Sequence, residues 1–304
     1  MKRTKMKRTK RVLGLALAAV MCMGMLANSD TAYAASGTET SEKVLNIATI
    51  GETTTLSPLY MIADNRPTQK LLYEGLVKYV DGEIQPVLAE DWEMSEDGKQ
   101  LTFYLRQGVT FHDGEPFNAE AAIANIEAWH INPSFTALPG VVNYTNIEAV
   151  DEYTIRLTYD TPYFAYINDF CWPDVCTMIS PKQITQGDFQ TVNGYAGTGP
   201  YIYDEYVAGQ YTTFVRNENY WDEQPYYDKI VAKYIPDNAS RVQALKTGEI
   251  DLIYGSAELS YEDYNQATAI DGIEGKFAPS GSTVRNIILN FNGNLSDLSV
   301  RQAL

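Results

Sequence analysis

An apolar–polar alternation between residues 100 and 105 constrains this region more strongly than any other pattern in the sequence. Leu101, Phe103 and Leu105 alternate with residues that carry polar groups, which is the period of a β-strand with one buried face. Asp-Gly pairs at 97–98 and 113–114 flank the strand, and such pairs form turns because glycine adopts positive φ. The pattern predicts antiparallel hairpins, and none of its residues is placed for catalysis.

The first 34 residues have the composition of a secretory signal peptide. Seven of the first eleven residues are Lys or Arg, and the apolar stretch Val12 to Leu26 is shorter than the roughly 20 residues of a membrane span. Ala32 and Ala34 place small residues at the two positions that signal peptidase reads. We predict a signal peptide at 1–34 and a mature chain that is periplasmic or lies on the outer face of the cytoplasmic membrane. The alternative is lipoprotein processing, which would leave a lipid anchor on Cys22.

The charge of the chain excludes one class of partner. The net charge is −16, and residues 1–34 carry seven basic residues and one acidic residue, so the remainder carries −22. Such a surplus of acid argues against binding to nucleic acid or to an anionic membrane surface. It fits cationic ligands or plain solubility. The polar residues 35–43 are predicted to form a short tether.

The cysteines, histidines and nucleotide-binding patterns give no sign of a metal, a cofactor or a catalytic centre. Cys171 and Cys176 can form a local disulfide in an exported protein or remain buried thiols. Together with the distant His112 and His130 they lack the spacing of a zinc site. The sequence contains no G-x-S-x-G, H-E-x-x-H, P-loop or G-x-G-x-x-G motif. We therefore predict no metal, no cofactor and no enzyme; a secreted hydrolase or adhesion domain is the alternative of another class.

Strands and helices are mixed along the chain, which predicts an α/β protein with a mixed sheet. Four aromatic residues, Tyr163, Phe164, Tyr166 and Phe170, are expected in the core. The remaining predicted elements are a strand at 44–50, a helix from Asp64-Asn65 to Gly75, a helix capped by Asn118, hairpins at 145–159 and 201–216, a helix from Asp237 to Gly248, a strand at 250–254 and a helix capped by Asp297.

Several short sequence motifs resemble those of family 5 of the extracellular solute-binding proteins. These proteins are the receptors of ABC importers for oligopeptides, dipeptides and nickel. The motifs occur in the order of the family and extend over residues 44–304. They are AEDW at 89–92, DGKQLTFYLRQGVTFHDGEPF at 97–117, YEGL at 73–76, GTGPY at 197–201, RNENYW at 216–221, GEID at 248–251, LN at 289–290 and VRQAL at 300–304.

The resemblance implies a periplasmic-binding-protein-like fold of type II, cluster C. It places a first lobe with a mixed sheet at 44–280, with 73–190 as an inserted subdomain, and the hinge with the start of a second lobe at 281–304. Family members continue well beyond that point, so the sequence is expected to be C-terminally truncated, with its second lobe only begun.

The resemblance also implies the function of an extracytoplasmic substrate-binding component that captures oligopeptides or dipeptides and delivers them to ABC permease subunits. A nickel-chelate receptor is the alternative, since RNENYW and DLIYG at 251–255 resemble the nickel type. In that type an arginine shortly before Ser-Pro meets the carboxylates of the chelate. This chain has Asp174 in that stretch before Ser180-Pro181, and Arg66 is a candidate for the missing positive charge.

The ligand of such a receptor contacts loops that face the cleft between two lobes. For this chain the predicted ligand-binding residues lie in the TTTLSPLY loop, at the start of the first helix and in the segment before Ser180. They are Thr54, Thr55, Tyr60, Arg66, Trp172 and Asp174.

Overall fold

The computed structural model describes residues 42–60, 66–172, 175–185, 189–190, 192, 194–254 and 259–276. The strands in these ranges are β1 (Val44–Thr49), β2 (Val77–Val80), β3 (Glu83–Pro86), β4 (Ala89–Met94), β5 (Gln100–Leu105), β6 (Tyr144–Asp151), β7 (Thr154–Tyr159), β8 (Tyr201–Val207), β9 (Tyr211–Arg216), β10 (Lys229–Tyr234) and β11 (Leu252–Ile253). The α-helices are α1 (Arg66–Leu72), α2 (Ala119–His130), α3 (Pro139–Val142), α4 (Tyr166–Phe170), α5 (Asn238–Thr247) and α6 (Tyr261–Thr268). Short 3₁₀ helices lie at Pro133–Phe135 and Pro181–Gln183.

The first sheet has five strands in the order β11-β1-β10-β9-β8. β1 pairs in parallel with β10 and with β11, whereas β10, β9 and β8 are successively antiparallel. The β1–β10 register runs from Val44 opposite Lys229 to Thr49 opposite Tyr234. This combination of parallel and antiparallel pairs is the mixed sheet that the sequence predicts.

The second sheet is antiparallel, with the order β4-β5-β7-β6, and β2 and β3 form a separate hairpin. Leu101, Phe103 and Leu105 of β5 are 0%, 0% and 3% exposed, which confirms the predicted alternation. Thr102 was expected to face solvent but is also buried, because Arg156 of the neighbouring β7 reaches across it with Nε 3.5 Å from its hydroxyl. Glycines of both predicted Asp-Gly turns have positive φ, at +66° and +85°.

Capping residues fix the ends of two helices as predicted. The Asn118 side chain accepts a hydrogen bond from the Ala121 amide at 3.0 Å, and Asp237 accepts one from Ser240 at 2.8 Å. α5 ends at Gly248, whose φ of +74° is the left-handed conformation typical of a helix C-terminus. These local signals needed no tertiary information.

Two elements are shorter in the structure than the sequence predicts. α1 ends at Leu72 rather than Gly75, because Gly75 forms an isolated antiparallel bridge with Thr177. The strand predicted at 250–254 has only two residues in β11, which pair with Ile47 and Ala48 of β1. Asp64, Asn65 and the helix expected from Asp297 lie outside the described residues, as do the predicted signal peptide and most of the tether.

The larger hydrophobic core lies between the second sheet and the helices α2 to α4. The rings of Phe103 and Phe170 meet edge to face at 5.0 Å, and Trp129 stacks on Phe135 at 5.9 Å. Asn125, which is fully buried, ties α2 to the segment before Pro181 by donating to and accepting from the backbone of Ile179. A second core packs the five-stranded sheet against the end of α1.

Two of the four aromatic residues expected in the core are exposed. Tyr166 and Phe170 are 3% and 1% exposed, as predicted, but Tyr163 and Phe164 are 47% and 66% exposed, so that part of the prediction is wrong. The ring of Phe164 lies on Gly98, which has no side chain to lift it away from the turn. An aromatic ring can thus cover a backbone turn at the surface instead of entering the core.

Cys171 and Cys176 are free and buried. Their sulfur atoms lie 3.5 Å from the Ile167 carbonyl oxygen and 3.3 Å from that of Asp169, as expected for weak thiol donors. Burial raises the pKa of Cys171 to about 11, so the thiol stays protonated and unreactive at neutral pH. Of the two states that the sequence left open, the structure has the buried thiols.

None of the helices within the described ranges is both long enough and apolar enough to cross a bilayer.

Candidate functional site

The parallel strands β1, β10 and β11 end at the same edge of the five-stranded sheet, here called the carboxyl edge. From this edge the chain continues into residues 50–60 after β1, here called the β1 loop. The tip of the β8–β9 hairpin lies at the same edge, since Tyr211 pairs with Lys233 near the end of β10. Ligands of open sheets with parallel strands bind outside the carboxyl ends of those strands. The carboxyl edge is therefore the candidate site.

Hydrogen bonds from side chains hold the β1 loop in a defined conformation. The hydroxyl of Ser57 donates to the Phe189 carbonyl at 2.7 Å, and that of Thr55 donates to the Gln190 carbonyl at 3.0 Å. Gln69 of α1 donates to the Ser57 carbonyl at 2.8 Å. The loop is thereby anchored to α1 and to the chain before β8, which makes it a preorganised surface.

Glu52 joins the β1 loop to the β8–β9 hairpin. Its carboxylate accepts hydrogen bonds from the Tyr206 hydroxyl at 2.6 Å and from the Gly209 amide at 2.5 Å. These two bonds favour the ionised form and lower the pKa of Glu52, while the same contact raises the pKa of Tyr206 to about 12. The contact holds the β1 loop against the tip of the β8–β9 hairpin.

A partly buried carboxylate, that of Glu74, connects three segments that are distant in sequence. One oxygen accepts from the Thr198 hydroxyl at 2.9 Å and from the Trp221 indole at 2.8 Å, and the other accepts from the Tyr220 hydroxyl at 2.7 Å. The guanidinium of Arg106 lies 4.5 Å from the Trp221 ring centre, over its face. Burial raises the pKa of Glu74, and the three donors oppose that shift.

The chain around Gly197 and Gly199 packs directly on the end of α1. A Cβ atom on Gly197 would lie 1.9 Å from the Leu72 carbonyl oxygen, and one on Gly199 would lie 2.7 Å from that of Leu71. His112 also bridges these glycines, because Nδ1 accepts from the Gly197 amide at 3.2 Å and Nε2 lies 2.9 Å from the Gly199 carbonyl. The proton of the neutral ring is therefore on Nε2.

The sequence of this chain matches a known protein family. The sequence profile described as "Bacterial extracellular solute-binding proteins, family 5 Middle" matches residues 83–304. The chain belongs to family 5 of the bacterial extracellular solute-binding proteins. The family predicted from the sequence motifs is thereby confirmed.

Relatives of this family 5 chain include the nickel-binding periplasmic protein of Escherichia coli, which is 39% identical over 209 residues. That match covers 67% of this chain and 40% of the relative. The glutathione-binding protein GsiB of Pectobacterium atrosepticum is 34% identical over 219 residues, covering 68% of this chain and 41% of that protein. The chain thus spans about two fifths of the length of these curated relatives.

Among solved structures, NikA of Brucella suis in complex with Fe(III)-EDTA is similar to this chain with a TM-score of 0.69 and 33% identity. The similarity covers 74% of this chain and 46% of NikA. The predicted α/β fold of a periplasmic binding protein is thereby confirmed. The relatives are periplasmic solute-binding proteins, a class that is not enzymatic, and this supports an exported location for the family 5 chain.

Within this family 5 chain, three of the predicted ligand-binding residues share the β1 loop. Thr54 is exposed and Tyr60 is partly buried. Thr55 is 7% exposed, and its hydroxyl is used within the scaffold. Thr54 and Tyr60 are therefore the residues of the β1 loop best placed to meet a ligand.

The other predicted residues are not brought to the carboxyl edge by any described contact. Trp172 follows α4 and is 42% exposed, and its carbonyl accepts from the amides of Val175 and Cys176. Arg66 is the first residue of α1, but its side chain lies outside the described part of the structure, and so does Asp174. Their ligand roles stay predictions.

Residues of the family 5 sequence motifs make contacts within the scaffold. Glu74 belongs to YEGL, Thr198 to GTGPY, and Tyr220 and Trp221 to RNENYW, and all four meet at one carboxylate. The sequence analysis identified each motif but did not predict that these four residues form a hydrogen-bonded cluster, because more than a hundred residues separate Glu74 from its three donors. Among the described residues there is no group of three His, Cys, Asp or Glu side chains that could hold a metal ion.

Proposed function

We propose that this chain is the first part of the substrate-binding component of an ABC importer, which captures oligopeptides or dipeptides and delivers them to membrane permease subunits. The observation that carries the proposal is the preorganised β1 loop at the carboxyl edge, with Thr54 exposed on it. A rigid loop at that position offers backbone groups to an extended ligand, which is how varied peptides are held. We further propose a signal peptide at 1–34 and a location in the periplasm or on the outer face of the cytoplasmic membrane, which the periplasmic relatives support.

The proposed first lobe comprises residues 44–280, with 73–190 as an inserted subdomain and 281–304 as the hinge and the start of the second lobe. The second sheet, β4-β5-β7-β6, lies within the inserted range, and the five-stranded sheet is built from segments on both sides of it. This arrangement supports the division. The chain spans about two fifths of its curated relatives, so the second wall of the ligand cleft belongs to a further part of the protein.

Charge at the carboxyl edge favours peptides over metal chelates. Carboxylates of a chelate need cationic partners, yet the described cations near this edge are already engaged. Lys233 donates to the Glu249 carbonyl at 2.8 Å, and Arg241 donates to the Ile235 carbonyl at 2.6 Å. A peptide bound through its backbone does not require a free cation on this lobe.

A nickel-chelate receptor is the second candidate. It is favoured by the 39% identity to the nickel-binding periplasmic protein of Escherichia coli. In that case Arg66, at the start of α1, would supply the positive charge that Asp174 does not.

Isothermal titration calorimetry on the protein with both lobes separates the two candidates. We expect saturable binding of a mixture of di- to pentapeptides, with a negative ΔCp because apolar surface is buried on closure. Nickel with excess histidine is expected to give no saturable heat. Saturable heat with nickel and histidine alone would contradict the peptide proposal, and turnover of the peptides would contradict the receptor class.

A pair of matched variants places the ligand at the carboxyl edge. Thr54→Trp adds a bulky side chain to the β1 loop and is expected to weaken peptide binding at least about tenfold, or about 1.4 kcal/mol. Thr145→Trp, at an exposed threonine of the second sheet, is the control and should leave the affinity unchanged. Equal affinities of the two variants would exclude the β1 loop from the site.

A further inference from the structure

A second concavity lies on α2 and has no lining residue in the β1 loop. Its walls come from the second half of α2, from Tyr144 at the start of β6, and from the chain that follows Ser180. The cavity, here called the α2 pocket, has a volume of about 510 Å³. Sites for small molecules have volumes of about 300–1,000 Å³, so the α2 pocket is large enough for such a ligand.

One end of the α2 pocket is polar and anionic. The exposed residue Glu127 lines it, and none of the ion pairs between described residues includes Glu127. The Tyr144 ring lies beside it, and the His130 ring is tilted against Tyr144 with the centroids 4.5 Å apart. Burial, followed by the charge of Glu127, raises the pKa of Tyr144 to about 12, so its hydroxyl remains a donor at neutral pH.

The Thr185 hydroxyl marks an unsatisfied position in the same pocket. Its oxygen is buried and has no hydrogen-bond partner in the described part of the chain, although Thr185 lines the cavity. Buried polar atoms are paired in nearly all folded proteins, and each exception calls for an explanation. The oxygen has almost no accessible surface, so a hydrogen-bonding group of a bound ligand pairs with it once the Thr185 side chain rotates towards the cavity.

The rest of the lining is apolar, and it includes Ile131, Pro181, Ile184 and Phe189. The described lining residues include no Lys or Arg, so a carboxylate or phosphate ligand would find no cationic partner among them. The net charge of −22 after residue 34 also raises the local concentration of cations around the protein. These features select a ligand with a positive charge and an apolar body.

We propose that the α2 pocket binds a small organic cation. The ammonium group lies beside the Glu127 carboxylate and the face of Tyr144, where charge attraction and a cation–π contact act together. The apolar body packs against Ile184 and Phe189. A hydroxyl or amide of the ligand pairs with Thr185. This site is separate from the proposed peptide cleft, and it is occupied independently of it.

Saturation-transfer NMR on the full-length exported protein tests this site with tyramine, phenethylamine and 4-ethylphenol. Tyramine carries the ammonium, the ring and a hydroxyl, phenethylamine lacks the hydroxyl, and 4-ethylphenol lacks the ammonium. We expect saturable binding with affinity falling in that order, with at least a fivefold difference between tyramine and 4-ethylphenol. Equal affinity for tyramine and 4-ethylphenol, or no saturable binding of tyramine, would overturn the proposal.

Three variants locate the site. Glu127→Gln is expected to weaken tyramine binding at least fivefold and to leave 4-ethylphenol unchanged, while Ala124→Leu fills the cavity and abolishes both. Glu120→Gln, on the same helix but outside the pocket lining, is the control and should bind like the wild type. The proposal is wrong if Glu127→Gln binds tyramine as well as the control does. It is also wrong if a saturating peptide mixture displaces tyramine, since the ligand would then occupy the peptide cleft.

Discussion

Replacing Glu74 with alanine is expected to lower the free energy of unfolding by about 3–5 kcal/mol. The carboxylate accepts hydrogen bonds from Thr198, Tyr220 and Trp221, and the substitution leaves all three donors without their acceptor in a partly buried site. It also disconnects the chain after β1 and α1 from the segments on both sides of the β8–β9 hairpin. Urea-induced unfolding, followed by circular dichroism, measures the loss.

Two further variants distinguish the contribution of the Glu74 cluster to stability from that of an exposed charge. Glu74→Gln keeps the shape and one acceptor oxygen, so a smaller loss of about 1–2 kcal/mol is expected. Glu148→Ala removes an exposed ion pair with Arg156 at 3.5 Å and should cost less than about 1 kcal/mol. A Glu74→Ala protein as stable as Glu148→Ala would show that the cluster contributes little to the fold.

The raised pKa of Glu74 gives the wild type a defined dependence on pH. Since burial raises the pKa of this carboxyl group in the folded state, the folded chain binds its proton more tightly than the unfolded chain does. Its contribution to stability is therefore fully present below the unfolded pKa of about 4.3 and is lost as the pH rises through the folded pKa. Glu74→Gln should lack this component of the pH profile.

Gly197→Ala is expected to cost about 3 kcal/mol, the upper end of the range for overpacking. The new methyl group would lie 1.9 Å from the Leu72 carbonyl oxygen and 2.6 Å from the Tyr73 ring. The first of these neighbours is backbone at the end of α1, which cannot move aside without displacing the helix or the GTGPY segment. The same unfolding measurement gives the effect.

Gly108→Ala is the matched control for this substitution. Gly108 has a φ of +77°, and a Cβ atom there would meet nothing within 4 Å, so alanine costs only the left-handed strain of about 1 kcal/mol. The comparison isolates the steric clash from the conformational effect of losing glycine. Equal losses in the two variants would show that the contact between Gly197 and α1 is not tight.

Local signals in the sequence predicted the elements of this fold well. The alternation of Leu101, Phe103 and Leu105 and the caps Asn118 and Asp237 act within a few residues, and the structure confirms each of them. The wrong predictions concern residues whose burial depends on a segment that is distant in sequence. Phe164 was assigned to the core because it is aromatic, but its ring covers the Gly98 turn more than sixty residues earlier in the chain.

The candidate site was predictable only in part. The β1 loop was identified from the sequence, yet the distinction between exposed Thr54 and buried Thr55 depends on the Gln190 carbonyl, which the local sequence cannot locate. The Glu74 cluster was missed for the same reason. The family motifs form contacts of the scaffold rather than of the ligand, so they establish the class and not the substrate.

Native mass spectrometry tests the proposal of a peptide receptor most directly. The sample is the exported two-lobed protein, purified without unfolding. We expect bound species that are released on denaturation and that tandem fragmentation identifies as intact short peptides. Reloading of the emptied protein from a peptide mixture should restore the same mass increments. A protein that carries only a nickel chelate, or that stays empty in the presence of the peptide mixture, would contradict the proposal of a peptide receptor.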